Sequence, residues 1–215
     1  MKTSRPTVSI DLWGTLIKSN PEFVVEKRKL IKKYVDISDE EIDNAYKRAK
    51  EKLNAVIEVT GWQPSLDIMH RVLGFELSYT IDSVYPVYPW HYHYQALAVE
   101  YPPLIYSDET IEVLDNLARK ANLYLSSNTI FIEGSTLADS LNNKYNLFKD
   151  FDILFFSDQI GYSKPHPRMF TSDFHIGDNP ITDGWGATKA HSKPIIINSN
   201  NLTIKDAYDI IVQGI

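Results

Sequence analysis

From Ser107 to the end of the chain, short apolar runs alternate with helical patterns, and this alternation restricts the fold more than any other feature. The patterning predicts an amphipathic helix over 108–121, a strand over 122–126, and loop and helix over 129–146. Strands follow at 153–156 and 174–176, then a helix at 180–190, a strand at 194–198 and a last helix from about Thr203. Strands that alternate with helices in this way build a parallel sheet with helices on both faces. An earlier β run, Thr7 to Asp11, belongs to the same sheet.

Between these parts lies a helical block. Asn20-Pro21 marks a helix start, with Pro at the first helical position. Ser38-Asp39-Glu40-Glu41 has the capping-box form and opens a long helix to about Val59, with Ile42, Ala45, Ala49, Leu53 and Val56 on one stripe. A third helix is expected from Pro64 to about Leu73. Pro86 and Pro89 interrupt any helix near them, which leaves Trp90 to Glu100 for a final one. The expected fold is α/β: a parallel Rossmann-like sheet core (1–17 and 103–215) with an inserted α-helical cap subdomain (18–102).

An apolar fraction of 43% is enough for a sizeable core and argues against disorder. The net charge of −6 speaks against a nucleic-acid partner, since such domains carry basic patches. No stretch approaches the roughly 18 apolar residues of a membrane span, so no membrane partner is expected. The start, MKTSRPTVSIDLWGTL, lacks the apolar run and cleavage site of a signal peptide. With no cysteine there are no disulfides, thiolate nucleophiles or cysteine metal sites, and a cytoplasmic location is expected.

In open parallel sheets, ligands bind at the carboxyl ends of the strands. Four polar motifs fall just after predicted strands: Asp11-Leu12-Trp13-Gly14-Thr15, Ser126-Ser127-Asn128, Lys164-Pro165-His166-Pro167, and Gly177-Asp178-Asn179 with Asp183-Gly184. A carboxylate there can attack phosphorus or carbon covalently. A Ser hydroxyl can hold a phosphoryl oxygen, and a Lys can neutralise the nucleophile and the transferring group. Acidic groups from neighbouring strand ends can hold magnesium, which prefers oxygen ligands.

This order of motifs resembles the haloacid dehalogenase superfamily, over residues 7–17 and about 103–200, and in the placing of a helical cap between the first and second motifs. The resemblance implies Asp11 as nucleophile, Thr15 as support for its loop, Ser127 and Asn128 as phosphate or oxyanion binders, and Lys164 as the charge-balancing lysine. It implies Mg2+ held by Asp11, Asp178, Asp183 and the backbone carbonyl of Trp13. Its implied activity is phosphoryl hydrolysis of a small phosphorylated metabolite through an aspartyl-phosphate.

Two features depart from that family. Its phosphatases place a second aspartate, the general acid, two residues after the nucleophile; this chain has Trp13 there. Acid–base help of this kind is worth about 10²–10⁴ in rate. The family's dehalogenases also lack that acid, but they usually lack the Gly-Asp pair present here as Gly177-Asp178. The alternatives are therefore a metal-independent, dehalogenase-like hydrolase and a catalytically weak binding or assembly subunit. The second departure is length: only Pro165 to Ile176 separates Lys164 from Gly177, where the family places a full helix, so one sheet face is expected to be thinly covered.

Outside the motifs, an aromatic cluster (Tyr85, Tyr88, Trp90, His91, Tyr92, His93 and Tyr94) is expected to pack between cap and core. His91 and His93 are candidates for the missing acid if the cap closes over Asp11. Trp13 is a candidate pocket wall. The basic run Lys27, Arg28, Lys29, Lys32, Lys33 and the group Lys47, Arg48, Lys50, Lys52 are expected on solvated helix faces.

Overall fold

The computed structural model describes residues 5–78, 87–198 and 201–214. Five strands form one parallel sheet: β1 (Thr7–Ile10), β4 (Asn122–Ser127), β5 (Phe151–Phe156), β6 (Phe174–Gly177) and β7 (Lys193–Ile196). Their spatial order is β5-β4-β1-β6-β7, so β1 lies at the centre and the strand order reverses on either side of it. Such a reversal opens a crevice at the strands' carboxyl ends, where Asp11, Asn128 and Asp178 emerge.

Two short strands, β2 (Ile17–Lys18) and β3 (Leu104–Ile105), pair antiparallel and tie together the two ends of the helical block. The block holds α1 (Pro21–Lys32), α2 (Asp39–Thr60), α3 (Leu66–Ser78) and α4 (Val87–Glu100). Asn20 caps α1, with Pro21 in its first turn. The Ser38–Glu41 capping box opens α2, and Gly61 closes it with φ +65°, a backbone state that favours glycine. Helix α4 begins earlier than expected. Pro89 lies inside its first turn, where a missing N–H costs no intrahelical bond.

The core helices are α5 (Thr110–Ala118), α6 (Gly134–Tyr145), α7 (Ser157–Ile160), α8 (Gly186–Lys189) and α9 (Ile204–Gln213). With this strand order, the right-handed rule for parallel crossovers puts α5 and α6 on one face and the β5–β6 connection and α8 on the other, in keeping with their separate apolar clusters. On the first face, one large apolar cluster joins sheet, helices and cap, and includes Ile10, Leu123, Leu137, Ile176 and Ile211 with Leu30, Leu53 and Tyr94 from the cap. The second face has a small cluster in which only Met169, Phe170 and Ala187 are fully buried. The short connection supplies a single 3₁₀ turn, Pro167–Met169, in place of a helix. Polar contacts complete that face: Ser126 Oγ donates to the Met169 carbonyl at 2.8 Å, and the His175 ring stands edge-on to Phe170 at 4.8 Å.

One predicted helix is replaced by two shorter pieces. Residues 180–190 form a π-helical turn, Pro180–Trp185, followed by α8. The wider turn is closed by the Gly184 N–H donating to the Asn179 carbonyl at 3.1 Å, five residues back. Such turns recur at functional sites.

Candidate active site

Asp11 follows β1 directly, and its N–H still donates to the Ile176 carbonyl of β6 at 2.8 Å, so the sheet fixes its backbone. Its side chain is buried, with 5% exposure. Thr15 Oγ1 donates to one carboxylate oxygen at 3.2 Å, and Lys164 Nζ contacts the other. The same Nζ donates to Asp183 Oδ1 at 2.5 Å. Lys164 is buried, so one ammonium is shared between two buried carboxylates.

Lys164 is itself anchored by Asn128. The Asn128 Nδ2 donates to the Lys164 carbonyl at 2.9 Å, and the Lys164 N–H donates to Asn128 Oδ1 at 2.7 Å. This carboxamide lines the crevice but is engaged with backbone, so its place in the structure is that of a clamp on Lys164. Of the two serines, Ser126 is bonded to Met169, whereas Ser127 Oγ is buried with no hydrogen-bond partner among the described residues. An orphaned buried hydroxyl carries a penalty that a ligand oxygen would remove.

Asp178 and Asp183 approach through glycines. A Cβ on Gly14, whose φ is +79°, would fall 2.3 Å from Asp178 Oδ2, and one on Gly177 would fall 2.3 Å from Asp183 Cγ. Asp183 Oδ2 accepts from the Asn179 N–H at 3.0 Å, and Oδ1 also contacts His175 Nε2 at 3.0 Å. His175 Nδ1 lies 2.7 Å from Ser9 Oγ. Burial lowers the His175 pKa, and Asp183 opposes this only in part. A neutral ring beside an ionised Asp183 must donate from Nε2 and accept from Ser9 at Nδ1. Sequence reasoning missed His175, because a lone histidine in a four-residue strand carries no distinguishing pattern.

The electrostatics follow from three carboxylates and one ammonium in a dry site. Burial, and then the charges of Asp183 and Asp178, raise the Asp11 pKa to about 7 against the pull of Lys164. Burial acts against Asp183 too, but Lys164 and His175 outweigh it and hold its pKa well below the usual carboxylate range. Burial also opposes the Lys164 ammonium, yet Asp11 and Asp183 together raise its pKa. Asp178 is pushed up by burial and by Asp183.

Asp11, Asp178 and Asp183 each offer an oxygen, and these oxygens lie within 4.8 Å of one another. An all-oxygen, anion-rich set with excess negative charge suits a hard dication such as magnesium. The close approach of Asp178 over Gly14, and the raised Asp11 pKa that a cation would reverse, both fit that group.

No protein-family model matches the sequence, and no curated protein matches it. Solved structures do. YfnB from Bacillus subtilis, described as a HAD-hydrolase bound to magnesium, shares 17% identity over 97% of this chain and 99% of its own, with a TM-score of 0.69. A 2-haloacid dehalogenase from Pseudomonas syringae pv. Tomato shares 15%, over 99% and 100%, at 0.66. A HAD phosphatase from Thermococcus onnurineus shares 18%, over 96% and 97%, at 0.62. The chain has the haloacid dehalogenase-like fold. Phosphatase and dehalogenase share it, so the chemistry of this chain rests on its own residues.

Above Asp11 lies a cavity of about 280 Å3 between core and cap. Asp11, Asn128, Lys164, Asp178 and Asp183 line its core end. Trp13 forms part of the wall and packs against the apolar core. The cap contributes Phe23, Lys27, Tyr46, Lys50, Asn54 and Ile57. Lys27 therefore departs from the solvated face expected for it: it is 5% exposed and turned inward, while Arg28, Lys29 and Lys32 pair with Asp43, Glu26 and Asp39. Lys50, exposed at its outer end, also borders the cavity.

Neither His91 nor His93 borders the cavity. His91 Nε2 lies 2.9 Å from Glu133 Oε1, and His93 Nδ1 lies 2.8 Å from Tyr34 Oη. Both are thus engaged with other side chains away from the cavity, and the structure does not bring either one to Asp11. Tyr94 is fully buried, edge-on to Phe23 and Phe131, as expected of cap–core packing, whereas Tyr92 is exposed. Tyr85 and the side chains of Tyr88 and Trp90 lie outside the described residues.

Proposed function

We propose that this protein is a magnesium-dependent hydrolase that transfers a phosphoryl group from a small metabolite to Asp11 and then to water. The observation that carries this is the acidic cluster: Asp178 and Asp183 bring two further carboxylates beside Asp11, against the single ammonium of Lys164. A metal-free nucleophile gains nothing from such crowding: burial, reinforced by the charges of Asp183 and Asp178, raises the Asp11 pKa to about 7, so part of the carboxylate is protonated at neutral pH.

Asp11, Asp178 and Asp183 would hold the metal, which when bound supplies charge neutralisation for the phosphoryl oxygens. The chain's own residues do the rest. Asp11 attacks phosphorus with one carboxylate oxygen while the bond to the leaving oxygen breaks, and that oxygen departs with the electron pair. Thr15 and Lys164 orient the attacking carboxylate, and Lys164 also offsets charge on the transferring group. Ser127 gives the phosphoryl oxygens a donor. Asn128 keeps Lys164 in place, and His175 holds Asp183. Water then attacks the aspartyl-phosphate, which returns Asp11 as carboxylate and releases phosphate.

Trp13 can neither protonate the leaving oxygen nor activate the water. The favoured substrates are therefore those whose leaving group departs as a stable anion, such as an acyl phosphate or an aryl ester. A metal-independent, dehalogenase-like hydrolase is the second reading, favoured by the apolar Trp13 wall. Assays of an acyl phosphate and a 2-haloacid, each with magnesium and with chelator, separate the two. Turnover of the phosphate with magnesium alone is expected; chelator-resistant release of halide would overturn it.

A further inference from the structure

The cap end of the cavity holds a cation that pairs with no carboxylate among the described residues. Lys27 is 95% buried by its 5% exposure, and it borders the same cavity as Asp11. Its Nζ lies 3.7 Å from the centroid of the Tyr46 ring, and no carboxylate among the described residues is within ion-pair distance of it. The acid whose charge acts on it, Asp43, is already bound through both oxygens to Arg28. The ring supplies an attractive face but leaves the ammonium's donors unused. Burial pushes the Lys27 pKa down to about 8, with Asp43 opposing it only in part and the charges of Arg28 and Lys50 adding to it. Lys50 borders the cavity one helical turn beyond Tyr46, and it too has no carboxylate partner among the described residues. Glu58 also borders the cavity but is exposed and is not paired with either lysine.

Chains seldom bury an unpaired ammonium, because removing it from water is costly. The place of Lys27 on α1, four residues after Phe23 and three before Leu30, turns it inward, whereas Arg28 and Lys29 on other faces pair with Asp43 and Glu26. Its position makes sense if the missing anion arrives with the ligand. We infer that Lys27, with Lys50 beside it, binds a second acidic group of the substrate, a carboxylate, at the end of the cavity away from Asp11. This rests on the phosphoryl-transfer reading only for what sits at the Asp11 end. The substrate class is then a short phosphorylated carboxylic acid, small enough for about 280 Å3.

The test compares 4-carboxyphenyl phosphate with phenyl phosphate, two aryl esters that differ by the distal carboxylate, in the full chain and in Lys27→Met. Wild type should prefer 4-carboxyphenyl phosphate in kcat/KM by at least tenfold, and the preference should collapse in Lys27→Met. A ratio that the substitution leaves unchanged would overturn the inference. Calorimetric binding of 4-carboxyphenyl phosphate to the intact chain covers the case in which neither ester turns over. Binding that weakens tenfold or more in Lys27→Met supports the carboxylate site even if phosphoryl transfer fails, and no binding to wild type sinks it. Thermal melting guards against a folding artefact: Lys27→Met should melt no lower than wild type, because a buried unpaired charge is removed. A large drop would make Lys27 a structural residue and contradict the inference.

Discussion

The two ends of the cavity handle buried charge in opposite ways. At the core end, Lys164 is buried between Asp11 and Asp183, and each of these has further partners: Thr15 for one, His175 and the Asn179 N–H for the other. At the cap end, Lys27 is buried against the Tyr46 ring, with no carboxylate at ion-pair distance among the described residues and only the more remote Asp43, itself held by Arg28, acting on it. The core end is pre-assembled and has an excess of anions, while the cap end has an excess of cations. On the reading proposed above, the core end would hold a cation and do the chemistry, and the cap end would receive an anion and choose the substrate.

Substitutions can break this contrast, and the largest effect is expected at Asp11. Asp11→Asn should lower phosphoryl-transfer rates by about 10³-fold or more, the scale seen when a nucleophile is removed. In metal-free buffer it should raise the melting temperature, because one of three crowded carboxylates is lost. Lys164→Met should do the reverse on stability. It strands Asp11 and Asp183 without a counter-ion, at a cost of about 3–5 kcal/mol measurable by urea denaturation. Lys27→Met, by contrast, should not destabilise the fold.

Trp13→Asp restores an acid beside Asp11 and should raise turnover of unactivated alkyl phosphates by about 10²-fold, the lower bound for general acid–base help. No rise would mean that water access or cap closure limits the reaction. Asn128→Ala removes two bonds to the Lys164 backbone and should cost about 1–3 kcal/mol of stability, with a smaller loss of rate than Lys164→Met.

The metal response should depend on pH. The Asp11 pKa is raised from 3.8 to about 7 in the folded, metal-free chain. Its contribution to stability is therefore full below about 3.8 and is lost as pH rises through about 7. Magnesium binds the ionised carboxylates and returns that stability by mass action. Its effect on melting temperature should be small at about pH 5 and larger at about pH 8. An equal shift at both would mean the cation binds elsewhere.

Much of the core end was legible in the sequence, because its residues sit at strand ends that hydrophobic patterning locates. Asp11, Lys164, Asp178 and Asp183 come together through backbone geometry that a parallel sheet enforces. What the patterning left out is the hydrogen-bond detail. Asn128 turns to backbone, His175 supports Asp183 from inside the sheet, and a π-helical turn replaces the first turns of a regular helix. No propensity scale signals that extra residue per turn.

The cap was legible as helices but not as a binding surface. Lys27 reads as part of a basic run with Arg28 and Lys29, yet it lies four residues after Phe23 and three and four before Leu30 and Ile31. That spacing puts it on the buried stripe of α1, and face assignment residue by residue would have separated it from Arg28 and Lys29. Lys50 follows Tyr46 by the same four residues.

The central claim is that Asp11 carries the phosphoryl group in a magnesium-filled acidic site. With no group at Trp13 to activate water, the aspartyl-phosphate should persist long enough to trap. Incubating the full chain with acetyl phosphate and magnesium, quenching in acid and mapping peptides by mass spectrometry should place one phosphoryl group on Asp11. The label should vanish with chelator and in Asp11→Asn. A label that forms without magnesium, or that lies on another residue, would contradict the account.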